Sequence, residues 1–188
     1  MKKILGLVVA ALVAAPAFAA PVEYTIDSAH TFPVFEVNHL GFSTQRGRFN
    51  KTTGKVVLDQ AAQQGSVDLV IDATSLDMGF TTWDDHMFAD GFFNVEQYPT
   101  ITFKSNKLVF EGDRVVAADG DFTLLGVTKP IRLTVSNFKC GVHPFFKKEM
   151  CGGDVATTIK RSDFGMKKGL PAVSDEVKIY SPIEIHRN

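Results

Sequence analysis

The side chains in this sequence best suited to chemistry are histidines. His30, His39 and His86, with Asp84, Asp85 and Asp90 close to the last of them, offer imidazole and carboxylate donors that could hold a transition metal on an antiparallel scaffold. Their spacing argues against one tight ligand set. His30 and His39 are nine residues apart, so on one continuous strand they face opposite sides unless a bulge intervenes. Lone strand histidines more often serve as hydrogen-bonded structural residues, so no metal ligand set and no catalytic residue is assigned. Cys140 and Cys151 enclose a short loop with His143 just after the first cysteine. A clear fourth ligand and the CxxC pairs of zinc sites are missing, so a disulfide is the better reading than a metal site. That pairing removes both thiols as nucleophiles. The chain also lacks a GxSxG elbow, a P-loop and a GxGxxG turn, and with them the familiar hydrolase and nucleotide-binding signatures.

Composition narrows the class further. Lys+Arg 20 against Asp+Glu 21 gives a net charge of -1, unlike the basic excess of a dedicated nucleic-acid binder. Hydrophobic residues at 45% are too many for wholesale disorder, and 188 residues suit one domain with a sizeable core. Lys2 and Lys3, an apolar stretch over residues 4–13 and Ala17-Phe18-Ala19 read as a signal peptide cleaved after Ala19. The mature domain is then 20–188, carrying a net charge of about -3. No cysteine follows the leader and no later stretch is long enough to span a bilayer. A periplasmic protein is expected, with secretion as second choice. An oxidising compartment fits a Cys140–Cys151 disulfide, whose loop closure contributes roughly 3 kcal/mol at most.

These residues must be positioned by strands. Val67, Leu69 and Ile71 alternate with Asp68, Val70 and Asp72, Ile101 and Phe103 with Thr100, Thr102 and Lys104, and Ile131, Leu133 and Val135 with Arg132 and Thr134. The last run, Val177, Ile179, Ser181, Ile183 and Ile185, alternates with Lys178, Tyr180, Pro182, Glu184 and His186. A period of two in β-branched and aromatic residues marks half-buried antiparallel strands. Turns are expected at Thr53-Gly54, Gln64-Gly65, Glu111-Gly112-Asp113 and Asp119-Gly120. Such strands without helical alternation build a sandwich or an antiparallel barrel. Residues 76–97 resist the pattern. Asp77, Thr81 and Asp84 are cap or turn candidates there, and 83–89 reads as a short helix.

Sixteen phenylalanines, against three tyrosines and one tryptophan, bring apolar volume without a polar handle. A closed barrel of about eight strands either fills its interior with side chains or encloses one ligand. Phe, Val, Leu and Met in such a lumen would suit a long hydrocarbon chain, although the same residues serve equally as plain core.

The motifs then become recognisable. Tyr24-Thr25-Ile26-Asp27-Ser28-Ala29-His30-Thr31, Phe35-Glu36-Val37-Asn38-His39-Leu40-Gly41 and Gly47-Arg48-Phe49 resemble the opening of the YceI-like family. Asp85-His86-Met87, Phe92-Phe93 and Tyr98-Pro99-Thr100-Ile101-Thr102-Phe103 continue the resemblance. Gly120-Asp121-Phe122-Thr123-Leu124-Leu125-Gly126-Val127-Thr128-Lys129-Pro130 and Arg161-Ser162-Asp163-Phe164-Gly165 complete it in order. The resemblance implies a lipocalin-like antiparallel β-barrel of about eight strands, with one short helix in the 76–97 region. It also implies an exported, non-catalytic carrier of an isoprenoid lipid such as a polyprenyl compound or isoprenoid quinone. A homodimer, transient contact with a membrane or membrane protein for lipid exchange, and no cofactor go with it.

On parity and motif position, the lumen candidates are Phe35, Val37, Phe49, Phe92, Phe93, Phe103, Phe122, Leu124 and Phe164. His39, Asp85, His86, Arg161 and Asp163 are the candidates to meet a head group, with a structural network as the alternative for the last two. Two residues depart from the family pattern. Pro33 stands where a branched apolar residue is usual, so a bulge or strand edge is expected there. Asp84 stands where arginine is usual, which favours a neutral head group such as a quinone ring. The competing functions are a metal-dependent enzyme using His30, His39 or His86, and an interaction protein with a filled barrel.

Overall fold

Alternation of apolar and polar side chains lets each strand bury one face, and eight such strands here curl until the first meets the last. The structure is a computed structural model and describes residues 20–188; the expected signal peptide, 1–19, lies outside the described residues. The barrel strands are β1 (Val22–Ile26), β4 (Thr52–Asp59), β5 (Gln64–Asp72), β7 (Thr100–Glu111), β8 (Arg114–Leu124), β9 (Val127–Val142), β10 (Glu149–Lys160) and β11 (Val173–Arg187). Each pairs antiparallel with the next in that order, and β1 closes the ring against β11. Closure removes the exposed edges that a flat sheet would carry.

Strand β11 does double duty. Its C-terminal part pairs with β1 through Tyr24↔Arg187, Thr25↔His186 and Ile26↔Ile185. Its N-terminal part pairs with β2 (Val34–His39), which continues to β3 (Ser43–Phe49) and a two-residue β6 (Leu76–Asp77). These three strands form a flap that leaves the barrel wall at one end. Between the flap and the barrel mouth lies the helix α1 (Thr81–Phe88). The expected helix at 83–89 is thus present, starting two residues earlier. No side chain caps it, because its N-cap residue is Phe80, whose side chain has no acceptor; Asp84, inside the helix, accepts the Met78 N–H at 2.6 Å.

The core follows the expected parity: Leu69, Ile71, Ile101, Phe103, Phe122, Leu124 and Ile185 are buried. Turn expectations fared unevenly. Gly112 does turn the β7–β8 hairpin, but Gly54, Gly65 and Gly120 all lie inside strands. At Gly120 the reason is space rather than a turn. A Cβ there would sit 2.8 Å from the Phe103 ring and crowd the Lys104 carbonyl, so glycine lets that ring lie across the barrel interior. The β8–β9 turn falls instead at Leu125-Gly126, both with positive φ. Pro33 forms no bulge: it sits just before β2, with its carbonyl accepting the Phe49 N–H at 2.9 Å. Cys140 and Cys151 face each other across β9 and β10 and form the disulfide.

Candidate ligand-binding cavity

Because the flap and α1 stand off from the barrel axis, the lumen stays open at that end as a cavity of about 480 Å³. Its walls are strand side chains of inward parity, among them Ile71, Ile101, Phe122, Leu124, Ile159, Val177 and Ile179. The flap contributes Phe35, Val37 and Phe49, and the segment through α1 contributes Met78, Trp83, Met87, Phe92 and Phe93. Phe35, Phe49 and Phe93 form one aromatic cluster, with ring centroids 5.3 to 6.1 Å apart. Edge and tilted contacts of this kind hold such rings in place.

Of the nine lumen candidates, Phe35, Val37, Phe49, Phe92, Phe93, Phe122 and Leu124 line this cavity. Phe103 does not: it lies one layer deeper and lines a second space of about 80 Å³ at the far end of the barrel. Phe164 lines neither and packs edge-on against Phe122 at 5.5 Å, as support for the wall. Parity would have found Val177 and Ile179, on the most regular alternation in the chain. Met78, Met87, Trp83 and Met166 carry no such signal, because they lie off the strands, Trp83 and Met87 on α1 and the other two in connections whose path is set by the fold.

The polar candidates divide as sharply. His39, His86 and Arg161 line the cavity, together with Gln45 and Thr82, whereas Asp85 and Asp163 are exposed and do not. Asp84 does not line it either. His39 lies beside Trp83, with ring centroids 6.5 Å apart, and His86 packs tilted against Phe92 at 4.7 Å. Among the described residues no hydrogen bond joins either imidazole to a carboxylate, so neither has the acid–base partner that catalytic histidines use. Nor do the three histidines assemble. His30 lies in the connection between β1 and β2 and outside the cavity, so the question of strand parity with His39 does not arise.

Arg161 has a different task. It is 3% exposed, and its guanidinium donates to the carbonyls of Ser174 (2.9 Å), Lys168 (2.8 Å), Val173 (3.1 Å) and Met166 (3.2 Å). These bonds fasten the 161–172 connection to the start of β11 at the cavity mouth. Burial pushes the guanidinium pKa down, and the charge of Asp175 opposes that shift. Asp175 itself accepts the Ser162 backbone N–H and hydroxyl at 2.9 and 2.7 Å.

The arrangement therefore encloses apolar volume and presents Gln45, Thr82, two imidazoles and one backbone-bound guanidinium as its polar lining. It provides no nucleophile–base pair. A structural likeness to a polyisoprenoid-binding domain from Saccharophagus degradans (TM-score 0.65, 19% identity, 89% of this chain and 99% of that one) speaks to the fold. So does Burkholderia cenocepacia BcnA, at TM-score 0.69 and 25% identity over 85% of this chain and 98% of that one. In sequence, protein YceI of Escherichia coli O6:H1 is 33% identical over 186 residues, 97% of this chain and 96% of that protein. With the YceI-like domain profile matching residues 24–185, the chain belongs to the YceI-like family.

Proposed function

We propose that this protein is a periplasmic carrier that holds the tail of a long-chain isoprenoid lipid, a polyprenyl compound or an isoprenoid quinone, in the barrel lumen without transforming it. The observation that carries this reading is the cavity of about 480 Å³ walled by Phe, Ile, Leu, Val and Met. A filled barrel serving only as an interaction scaffold would have no use for that volume. Its size lies within the usual range for small-molecule sites, roughly 300–1,000 Å³. Each 100 Å² of tail removed from water stabilises the complex by roughly 2.5 kcal/mol. Immobilising a flexible chain offsets part of that gain. His39 and His86 at the mouth are the groups to meet a neutral, hydrogen-bonding head group such as a quinone ring, while Arg161 is committed to the carbonyls that hold the mouth.

The disulfide supports an oxidising compartment, and among the described residues no helix is long and apolar enough to cross a membrane. The proposal includes a homodimer and transient contact with a membrane or membrane protein for loading. The test is mass spectrometry of organic extracts from protein purified without detergent. About one equivalent of an isoprenoid or quinone is expected. An empty protein that also fails to bind long-chain polyprenols on titration would overturn the proposal.

A further inference from the structure

The ring of strands is weakest where it closes. β1 and β11 share three register pairs, whereas β10 and β11 share eleven. Just beyond the short ladder the chain adds three backbone ties. Asp27 N–H donates to the Glu184 carbonyl at 2.9 Å, and the Thr31 hydroxyl both donates to that carbonyl (3.3 Å) and accepts the Glu184 N–H (3.0 Å). Ile183 and Ile185 point inward, so Glu184 and His186 project outward over this seam.

Three donor side chains converge there, and a fourth, His186, touches the first. Asp27 Oδ2 lies 2.7 Å from His30 Nδ1 and 3.2 Å from His186 Nε2, and Glu184 Oε2 lies 3.8 Å from His30 Nδ1. The donor atoms of Asp27, His30 and Glu184 all fall within 4.8 Å of one another. The other Asp27 oxygen accepts the Ala29 N–H at 2.9 Å, which orients the carboxylate as outer hydrogen bonds orient metal ligands. Tetrahedral zinc, with bonds of roughly 2.0–2.2 Å, needs its donors roughly 3.3 Å apart. The observed separations straddle that value. His143 is nearby, its ring 5.9 Å from that of His186, but its Nδ1 accepts the Phe145 and Phe146 N–H groups. Its Nε2 then carries the proton and cannot ligate.

We propose that Asp27, His30 and Glu184 form a binding site for a divalent transition metal on the outer wall of the barrel, bridging the β1–β11 seam, with His186 hydrogen-bonded to Asp27 beside it. One imidazole with two carboxylates suits zinc rather than calcium or magnesium, which take oxygen donors alone. None of the four side chains lines the ligand cavity, so the ion staples the closing strands and takes no part in chemistry on the cavity's contents. It stabilises the barrel by mass action, binding the folded seam and not the separated strands.

The experiment uses tag-free mature protein stripped with EDTA and titrated with zinc chloride, read by calorimetry and by thermal melts. One equivalent of saturable binding is expected, with a melting temperature about 5–10 °C higher at a hundredfold excess over Kd. His30→Ala and Glu184→Gln weaken zinc at least tenfold and abolish the thermal shift. Both side chains are well exposed, at 63% and 38%, so these variants fold. His86→Ala leaves zinc affinity unchanged. The proposal fails if no saturable binding occurs, if His30→Ala binds like wild type, if His86→Ala is the variant that loses zinc, or if zinc binds without raising the melting temperature. Because the readouts are metal and melting, they stand or fall independently of any lipid in the lumen.

Discussion

At one end of the barrel the strands turn back in short hairpins; at the other, apart from the tight β8–β9 turn, the chain makes long excursions before it returns. The hairpin end is cross-braced. Gln60 and Gln63 on the β4–β5 turn donate to the Asp113 and Gly112 carbonyls on the β7–β8 turn, at 3.2 and 2.8 Å, and the disulfide clamps β9 to β10. Beneath it the lumen is nearly filled, leaving about 80 Å³. At the excursion end the flap, residues 73–99 and residues 161–172 stand around about 480 Å³. Packing and covalent closure finish the first end, and a single buried guanidinium fastens much of the second. The same sheet can thus supply a rigid base and a spacious mouth, because what closes each end differs.

The largest expected effect follows from that guanidinium. Arg161→Ala leaves four mouth carbonyls without their donor, and removing one member of a buried charged network costs about 3–5 kcal/mol. Urea unfolding measures it, and Arg161→Lys, which keeps the charge but not the fork, recovers only part of the loss. Equal stability of Arg161→Ala and wild type would mean that the mouth is held by packing after all. At the hairpin end, replacing both Cys140 and Cys151 by serine costs about 3 kcal/mol by the same assay. It leaves lipid binding intact, since Cys151 lines only the smaller space.

The contrast between the ends also explains what the sequence discloses. Val177, Ile179, Ile183 and Ile185 alternate because a strand on the barrel wall has one wet and one dry face, so the wall was readable residue by residue. Gly54 and Gly120 misled because glycine marks both turns and close approach: a Cβ at Gly54 would strike the Asp68 carbonyl across the ladder, and one at Gly120 the Phe103 ring. Phe103 and Phe164 share motif and composition with the cavity residues, yet depth along the barrel axis, which no period encodes, sorts them apart. Arg161 and Asp163 lie two residues apart in one motif. One is buried under four carbonyls and the other is in solvent, a division made by the irregular backbone of that segment.

The seam between the ends should respond to pH. Burial pushes the Asp27 carboxyl up, but hydrogen bonds from His30, the Ala29 N–H and His186 outweigh it and hold it at about 2. The hydrogen bond to Asp27, then its charge, raises His30 above its ordinary value. A depressed carboxyl contributes stability above its unfolded pKa, and that is lost as pH falls from about 4 towards 2. A raised imidazole contributes below about 6.5, and that is lost as pH rises through its folded value. Metal-free protein should therefore melt highest between these limits, with the acid limb worth at most roughly 2 kcal/mol. Asp27→Asn should flatten that limb in melts recorded in EDTA; an unchanged limb would assign the acid loss to other carboxylates.

The smallest stability effect belongs to the mouth itself, and there it separates folding from binding. Trp83 is 39% exposed and lines the cavity on α1, beside His39, in a segment with no buried residue of its own. Truncating it creates no sealed void, because solvent already reaches the ring. Trp83→Ala should cost about 1 kcal/mol or less. A tail in the lumen, however, loses the largest side chain at its exit, so bound polyprenol should dissociate several-fold faster in a chase against empty vesicles. If Trp83→Ala instead unfolds as readily as Arg161→Ala, the excursion end holds the fold through the same residues that would hold the ligand, and the division of labour between the two ends does not exist.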